Sequence, residues 1–355
     1  MKILYLGDDN PHFTSLHRAN ALRRLGHEVQ VVHPRAALPR ISLVGGISTR
    51  LGYWPFVPWI NAGVRRQIAN AHFDLAWIDC GAELSPGFHR ELRTRGMLTL
   101  NYNVDDPFGV RDGRKWDLYR RSVRQQDLTV VVRSENVVEA QAAGARQVLR
   151  VFRSYDPVAH APLKLSTSDY TQWASDVVFV GSWMPERGPF MVRLLELGVP
   201  LAIWGNDWQK APEYERLRPV LRGGAVYGTD YVKAIQCSRI ALGLLSKGNR
   251  DLHTTRSAEV PFIGGAVFCA ERTVEHAEMF RDGVEALFWT SAEECATRCL
   301  AALADSMGLR QMAELGRRRI LQLNLANDDI ARAALALLGG DGGVVERMLP
   351  AHLSS

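Results

Sequence analysis

Residues Asp251–Gly265 read DLHTTRSAEVPFIGG. Thr254-Thr255 has the form of a helix start, and Ser257–Ile263 supplies the opening turns. Gly264-Gly265 then closes the helix and lets Ala266–Ala270 begin as a strand with close backbone approach. The same stretch sets an acid at Asp251, a second at Glu259 eight positions on, and Arg256 between them. An acid able to grip a sugar or ribose diol, beside a cation able to grip a diphosphate, suits a nucleotide-sugar site. Glu259 also reads as a first-turn acid favoured by the helix dipole. Its spacing does not fit a capping box, which places the acid three residues after the cap.

Working outward, strands alternate with helices. Lys2–Gly7 reads as a strand, Ser15–Leu25 as an amphipathic helix stopped by Gly26, and Glu28–His33 as the next strand. Further strands fit Leu75–Asp79, Leu98–Asn101, Leu128–Val132 and Gln147–Val151. Tyr155–Thr171 loses all periodicity and reads as a linker. Asp176–Gly181 then opens a second α/β series, with a helix from near Pro189 and strands at Pro200–Gly205, Ala225–Tyr227, Ile240–Leu245 and Ala266–Ala270. Ala292–Leu338 reads as a long helical region with a restart at Asn327-Asp328-Asp329. Two doubly wound α/β halves are expected, with a cleft between them as the ligand site.

At 355 residues the chain has room for two domains. No apolar run reaches the roughly 18 residues needed to span a bilayer. MKILYLGDD lacks signal-peptide architecture and reads as the first strand of a cytoplasmic protein. The five cysteines form no CxxC pair, and no Asp-x-Asp triplet is present to hold a cation. Residues 1–160 carry 22 Lys+Arg against 15 Asp+Glu, whereas the remainder carries 21 against 23. The basic first half suits an anionic partner such as a phospholipid surface, a lipid diphosphate or an acidic glycan. It equally suits a face of solvated arginines. No aromatic–basic module points to nucleic acid.

The first strand–helix loop, Gly7-Asp8-Asp9-Asn10-Pro11-His12, lacks GxGxxG, and its acids would repel a pyrophosphate. Asp9 and His12 therefore read either as acceptor-facing groups or as a polar helix-capping turn. Asp105 and Asp106 follow a strand, where residues line the crevice of a parallel sheet, and one could take an acceptor proton. Asp before Pro is also a plain turn-former. Leu43–Ile60 places Tyr53, Trp54, Phe56 and Trp59 near Arg50 and Arg65-Arg66, which suits a membrane headgroup zone or a buried loop. In the second half, Gly181-Ser182 through Arg187 leads from strand to helix, where Arg187 and helix amides can meet a phosphate. Tyr227, with Gly228, is the aromatic best placed to flank a base, although such aromatics commonly just pack.

Taken together, VDDP (104–107), GARQVLRVFRSYDPVAHAP (144–162), VGSWMPERG (180–188) and TRSAE…GG (255–265) make the chain resemble a GT-B glycosyltransferase of the CgeB-like, group 1 branch. The resemblance spans nearly the whole length. It implies two Rossmann-like doubly wound domains facing across a cleft: 1–160 for the acceptor and 161–325 for the donor. Residues 326–338 are then a terminal helix packing back across the junction. Related enzymes carry an acid-x7-Glu motif whose second Glu holds the donor ribose, and Asp251 and Glu259 have that spacing. They also place an Arg and a Lys of a GR…EKG loop on the diphosphate; Ser182 and Arg187 occupy those positions here. One cation is thus missing, which Arg256 can supply. Gly181, Ser182, Arg187, Tyr227, Gly228, Asp251, Arg256, Ser257 and Glu259 form the expected donor set. Asp9, His12, Asp105 and Asp106 are the candidate bases.

The resulting expectation is a cytoplasmic, metal-independent enzyme without a bound cofactor. It would pass a sugar from a nucleotide-diphosphate sugar to a glycan, lipid-linked or other hydroxyl, with peripheral membrane contact through the basic half. A nucleotide-sugar epimerase and a non-catalytic sugar-nucleotide or glycan-binding protein remain as alternatives.

Overall fold

A computed structural model describes residues 1–38, 46–47 and 50–340. The chain divides into two compact units. Unit 1 comprises Met1–Phe152, Gly248–Arg250 and the chain from Asn327 onward; unit 2 comprises Arg153–Lys247 and Asp251–Ala326.

Unit 1 is built on six parallel strands in the order β2-β1-β3-β4-β5-β6. They are β1 (Lys2–Leu6), β2 (Glu28–Val32), β3 (Leu75–Asp79), β4 (Leu98–Asn103), β5 (Leu128–Val131) and β6 (Val148–Arg150). Every residue of β3, LAWID, is buried. A parallel strand covered by helices on both faces has no solvent side, so its sequence runs apolar without alternation. Unit 2 repeats the plan with β7 (Ser175–Val180), β8 (Leu201–Trp204), β9 (Leu221–Gly223), β10 (Ser238–Gly243), β11 (Val267–Glu271) and β12 (Leu287–Trp289). Their order is β12-β11-β10-β7-β8-β9. The strand order reverses between β1 and β3 in unit 1 and between β7 and β10 in unit 2. In an open parallel sheet these switch points leave a crevice at the strands' carboxyl ends.

The helices that matter below are α1 (Thr14–Arg24), α2 (Pro86–Thr94), α3 (Arg187–Glu196), α4 (Gly228–Gln236), α5 (Thr255–Ile263), α6 (Ala292–Ala304), α7 (Ser306–Gln322) and α8 (Asn327–Leu338). The helix read from Thr254-Thr255 is α5, with Thr254 as N-cap and Gly264 as C-cap. Gly265 has φ +85°, and a Cβ there would lie 2.4 Å from the Gln236 carbonyl oxygen. Only glycine fits that approach.

Several expectations shift. The strand expected at Ala225–Tyr227 lies instead at β9, and β12 was not anticipated; three residues are too few for a period to show. The long helical region is three helices. Asp305 caps α7 by accepting from the Gly308 amide, and Asn324 takes φ +51° before α8. The boundary between units follows Phe152 rather than residue 160. The segment read as linker is tied into unit 2: the Tyr155 amide donates to the Leu325 carbonyl, and the Tyr155 ring stacks on Phe262 at 4.0 Å. Helix α8 belongs to unit 1, where it packs on α1. Part of the aromatic stretch, residues 43–45 and 48–49, lies outside the described residues. Of the rest, Tyr53 and Ile60 are buried, while Trp59 is 61% exposed.

One buried group makes stability depend on pH. His89 on α2 is fully buried, and among the described residues neither ring nitrogen has a hydrogen-bond partner. Burial disfavours the imidazolium and pushes the group down to about 4. The unfolded chain therefore binds the proton first. Stability is complete above the ordinary value of about 6.5 and falls as pH drops toward 4. By pH 5 the loss from His89 alone is about 2 kcal/mol. Urea midpoints at pH 7.5 and 5 should show this, and His89→Leu should reduce the difference. An equal drop in that variant would contradict the assignment.

Candidate functional site

In unit 2, β7 ends at Val180, and Gly181 and Ser182 turn the chain toward α3. The Gly181 amide donates to the Trp204 carbonyl at 2.8 Å. A Cβ on Gly181 would meet the Phe179 ring at 2.7 Å, so the loop lies tightly on the sheet. Arg187, the first residue of α3, points back into this turn. Its Nη1 donates to the Ser182 carbonyl at 2.7 Å and its Nη2 to the Leu244 carbonyl at 3.4 Å. The guanidinium lies over the Phe179 ring and is 8% exposed. Arg187 thus joins the loops after β7 and β10. Its guanidinium, expected to meet a diphosphate, donates here to strand-end carbonyls.

Arg256 and Glu259 sit one turn apart on α5, where side chains three apart share a face. Arg256 Nη1 donates to Glu259 Oε2 at 2.5 Å, and its Nε to the Val180 carbonyl at 3.3 Å. Its guanidinium lies 4.5 Å from the centre of the Tyr231 ring, and its side chain is 30% exposed. Glu259 is 2% exposed and accepts a second bond from the Tyr231 hydroxyl at 2.8 Å. Burial would raise its carboxyl, but Arg256 and the Tyr231 hydroxyl outweigh it and hold the group below its ordinary value. His160 Nδ1 accepts from the Asp156 amide, which leaves the ring proton on Nε2, 3.6 Å from Glu259. Tyr231 belongs to α4. Tyr227, four residues earlier, is the N-cap of that helix and is 46% exposed, and Gly228 after it has φ +54°. The structure therefore joins Tyr227, Tyr231, Arg256 and Glu259 on two neighbouring helices, beside the end of β7.

Two expected donor residues sit deeper. The Asp251 carboxylate pairs with Arg153 at 3.0 Å, with side-chain exposures of 5% and 11%. The Arg153 amide donates to His253 Nε2, so the His253 proton is on Nδ1 and faces Glu275 at 2.5 Å. Asp251 is thus held by a buried cation instead of standing open to a sugar. The Ser257 hydroxyl accepts from the Thr254 amide at 3.1 Å. It also lies 2.9 Å from His276 Nε2, and Ser257 is fully buried. Its side chain holds the start of α5.

Lys247 was missed. It follows β10, the other switch-point strand, and its side chain is 59% exposed while paired with Glu271. Its amide donates to Glu186 at 3.4 Å. A lysine in a strand-end loop, SKGN, was the available signal.

In unit 1, the switch-point strands carry Gly7-Asp8-Asp9 after β1 and Cys80-Gly81 after β3. Cys80 and Gly81 have φ +64° and +75°, a left-handed pair at the strand end. Behind them Arg18 makes bidentate contacts of 2.8–3.1 Å to Asp79, with side-chain exposures of 7% and 2%. Asp9 is largely exposed and 3.1 Å from His33 Nδ1. His12 is exposed, and its amide donates to Asn10. Asp105 is half-buried, its amide bonded to Asn103. Asp106 is different. Arg250, with φ +53°, grips it at 2.6 and 2.7 Å, and Asn136 and the Gly109 amide donate to it as well. Burial raises its carboxyl, but Arg250 and Asn136 prevail and hold it low. A carboxylate gripped by four donors and held low is a poor proton acceptor, which counts against Asp106 as the base.

Residues 187–334 match the family model described as glycosyl transferase-like. Nearly the whole chain also matches solved structures. Sucrose-phosphate synthase from Thermosynechococcus elongatus matches with a TM-score of 0.68 at 12% identity, covering 96% of this chain and 100% of that one. HepE from Anabaena, solved with UDP and glucose, matches at 0.65 and 13% over 96% and 100%. The chain has the GT-B fold. Another similar structure is a putative UDP-N-acetylglucosamine 2-epimerase from Listeria monocytogenes, at 0.60 and 11% over 98% of each chain. At such identities these likenesses establish the GT-B fold itself. No curated protein gives a significant match. No described helix is long and apolar enough to cross a membrane.

Proposed function

We propose that this GT-B chain transfers a sugar from a nucleoside-diphosphate sugar, uridine diphosphate being the first candidate, to a hydroxyl acceptor. The observation that carries the reading is Arg256, part-exposed over Tyr231 and bonded to Glu259, beside the end of β7. As the glycosidic bond breaks, negative charge gathers on the departing diphosphate. The Arg256 guanidinium, with Lys247 and the N-terminal end of α5, stabilises that charge without needing a metal. Arg256 leaves Glu259 for the diphosphate, and the freed carboxylate accepts from the ribose hydroxyls. Tyr227 flanks the base. Unit 1 supplies the acceptor side, where Asp9, His12 and Asp105 keep polar groups at the strand ends to take the acceptor proton. The acceptor is a glycan or lipid-linked hydroxyl, and the basic first half suits its anionic carrier.

The HepE structure with UDP and glucose supports uridine diphosphate as the first ligand to try. A melting screen of nucleoside diphosphates and their sugar conjugates tests the reading, since ligands bound only by the folded state raise its melting temperature. UDP or a UDP-sugar should raise it, and prolonged incubation with the sugar conjugate should release free UDP. No shift with any nucleoside diphosphate would overturn the proposal. The epimerase likeness supports a second reading on the same scaffold, in which the sugar nucleotide changes stereochemistry with no acceptor present.

A further inference from the structure

Three cysteines, none of them a proposed donor residue, converge inside unit 2. Cys269 lies in the middle of β11, in register with Leu242 of β10 and Leu287 of β12. Cys295 and Cys299 lie one turn apart on α6, which packs against β12 and α3. All three are fully buried in the apolar core of the unit. Their sulfurs lie within 4.8 Å of one another, and Cys269 and Cys299 are 3.9 Å apart. Cysteines acting as small apolar fillers have no reason to meet. Here a strand and a helix turn three thiols toward one point.

We propose that Cys269, Cys295 and Cys299 form a three-sulfur site for a soft monovalent cation, cuprous copper. A planar three-coordinate ion with metal–sulfur bonds of about 2.3 Å places its sulfurs about 4 Å apart, which this cage reaches with little repacking. Among the described residues the group has three members and no nitrogen or oxygen ligand. Structural zinc takes four ligands and would need a further donor. Thiolate softness selects copper(I) among the remaining common ions. Each thiol that binds gives up its proton to the surrounding water as its copper–sulfur bond forms, because the thiolate is the metal ligand. Bound copper would pin β11 to α6.

The test uses the full chain carrying Cys80→Ser and Cys237→Ser, so that only the three core thiols remain. Under anaerobic, reducing conditions it is mixed with the coloured copper(I) complex of bathocuproine disulfonate. One equivalent of copper should leave the chelate, a thiolate-to-copper band should grow in the ultraviolet, and the melting temperature should rise. Adding Cys299→Ser should abolish all three changes. Cys295→Ala, which suits a helix, serves as a second variant, and circular dichroism confirms that each is folded. A parent protein that leaves the chelate colour intact would overturn the proposal. So would a folded Cys299→Ser or Cys295→Ala variant that still takes one equivalent.

Discussion

Replacing Arg18 by Met is expected to cost about 3–5 kcal/mol of folding stability, read as a fall in the urea midpoint. Arg18 and Asp79 are nearly sealed from water, and the guanidinium satisfies both carboxylate oxygens. It also lies 4.9 Å from the Tyr102 ring centre. Removing it leaves Asp79 with the Tyr5 hydroxyl at 2.5 Å as its remaining buried side-chain donor of note. The large effect is that abandoned charge, not the worth of the pair. Combining Arg18→Met with Asp79→Leu should therefore recover much of the loss, because a well-packed apolar pair can match a buried ion pair. If the double variant were as unstable as the single one, the cost would belong to packing of the α1 side chain. Asp79 is also the last residue of β3, immediately before the left-handed Cys80-Gly81 turn. The same network therefore sets the strand end at the switch point of unit 1.

Arg256→Ala is expected to lower turnover by about 10²–10³-fold. The guanidinium would act on charge that grows only as the sugar leaves, so its removal should appear in kcat more than in KM. Glu259→Ala should behave differently. It removes a ground-state contact to ribose and should weaken donor affinity by about 1–3 kcal/mol. Initial rates over a range of donor concentrations separate the two. Near-normal kcat/KM in Arg256→Ala would move the leaving-group role elsewhere, with Lys247 the first residue to examine. Equal donor affinity of Glu259→Ala and the unaltered protein would remove the ribose assignment.

The α/β alternation was legible because parallel strands buried on both faces leave apolar runs that no helix pattern imitates, as in LAWID. The α5 helix and its glycine stop were equally plain, since a cap, an apolar face and a close backbone approach each require a narrow set of residues. Short β12 left no such trace. The site was half legible. Arg256 and Glu259 are neighbours on one helix, so spacing alone placed them together. The partners that commit Asp251 and Asp106 lie 98 and 144 residues away in sequence, at Arg153 and Arg250. No local pattern announces a pairing over that distance. Arg187 reads two ways for a related reason. A cation at a strand-end loop suits an incoming anion, but it suits the carbonyls of the adjoining strand ends just as well, and here those carbonyls hold it.

Helix α8 has a consequence for how the protein is made. It covers α1, and Arg24 grips Asp328 through two bonds of 2.8 and 2.6 Å. During synthesis α1 therefore waits for a partner 304 residues further along the chain before its outer face is sheltered. Cutting the gene after residue 152 would release a fragment lacking that cover. A free-standing first half would need residues 327–340 spliced back on.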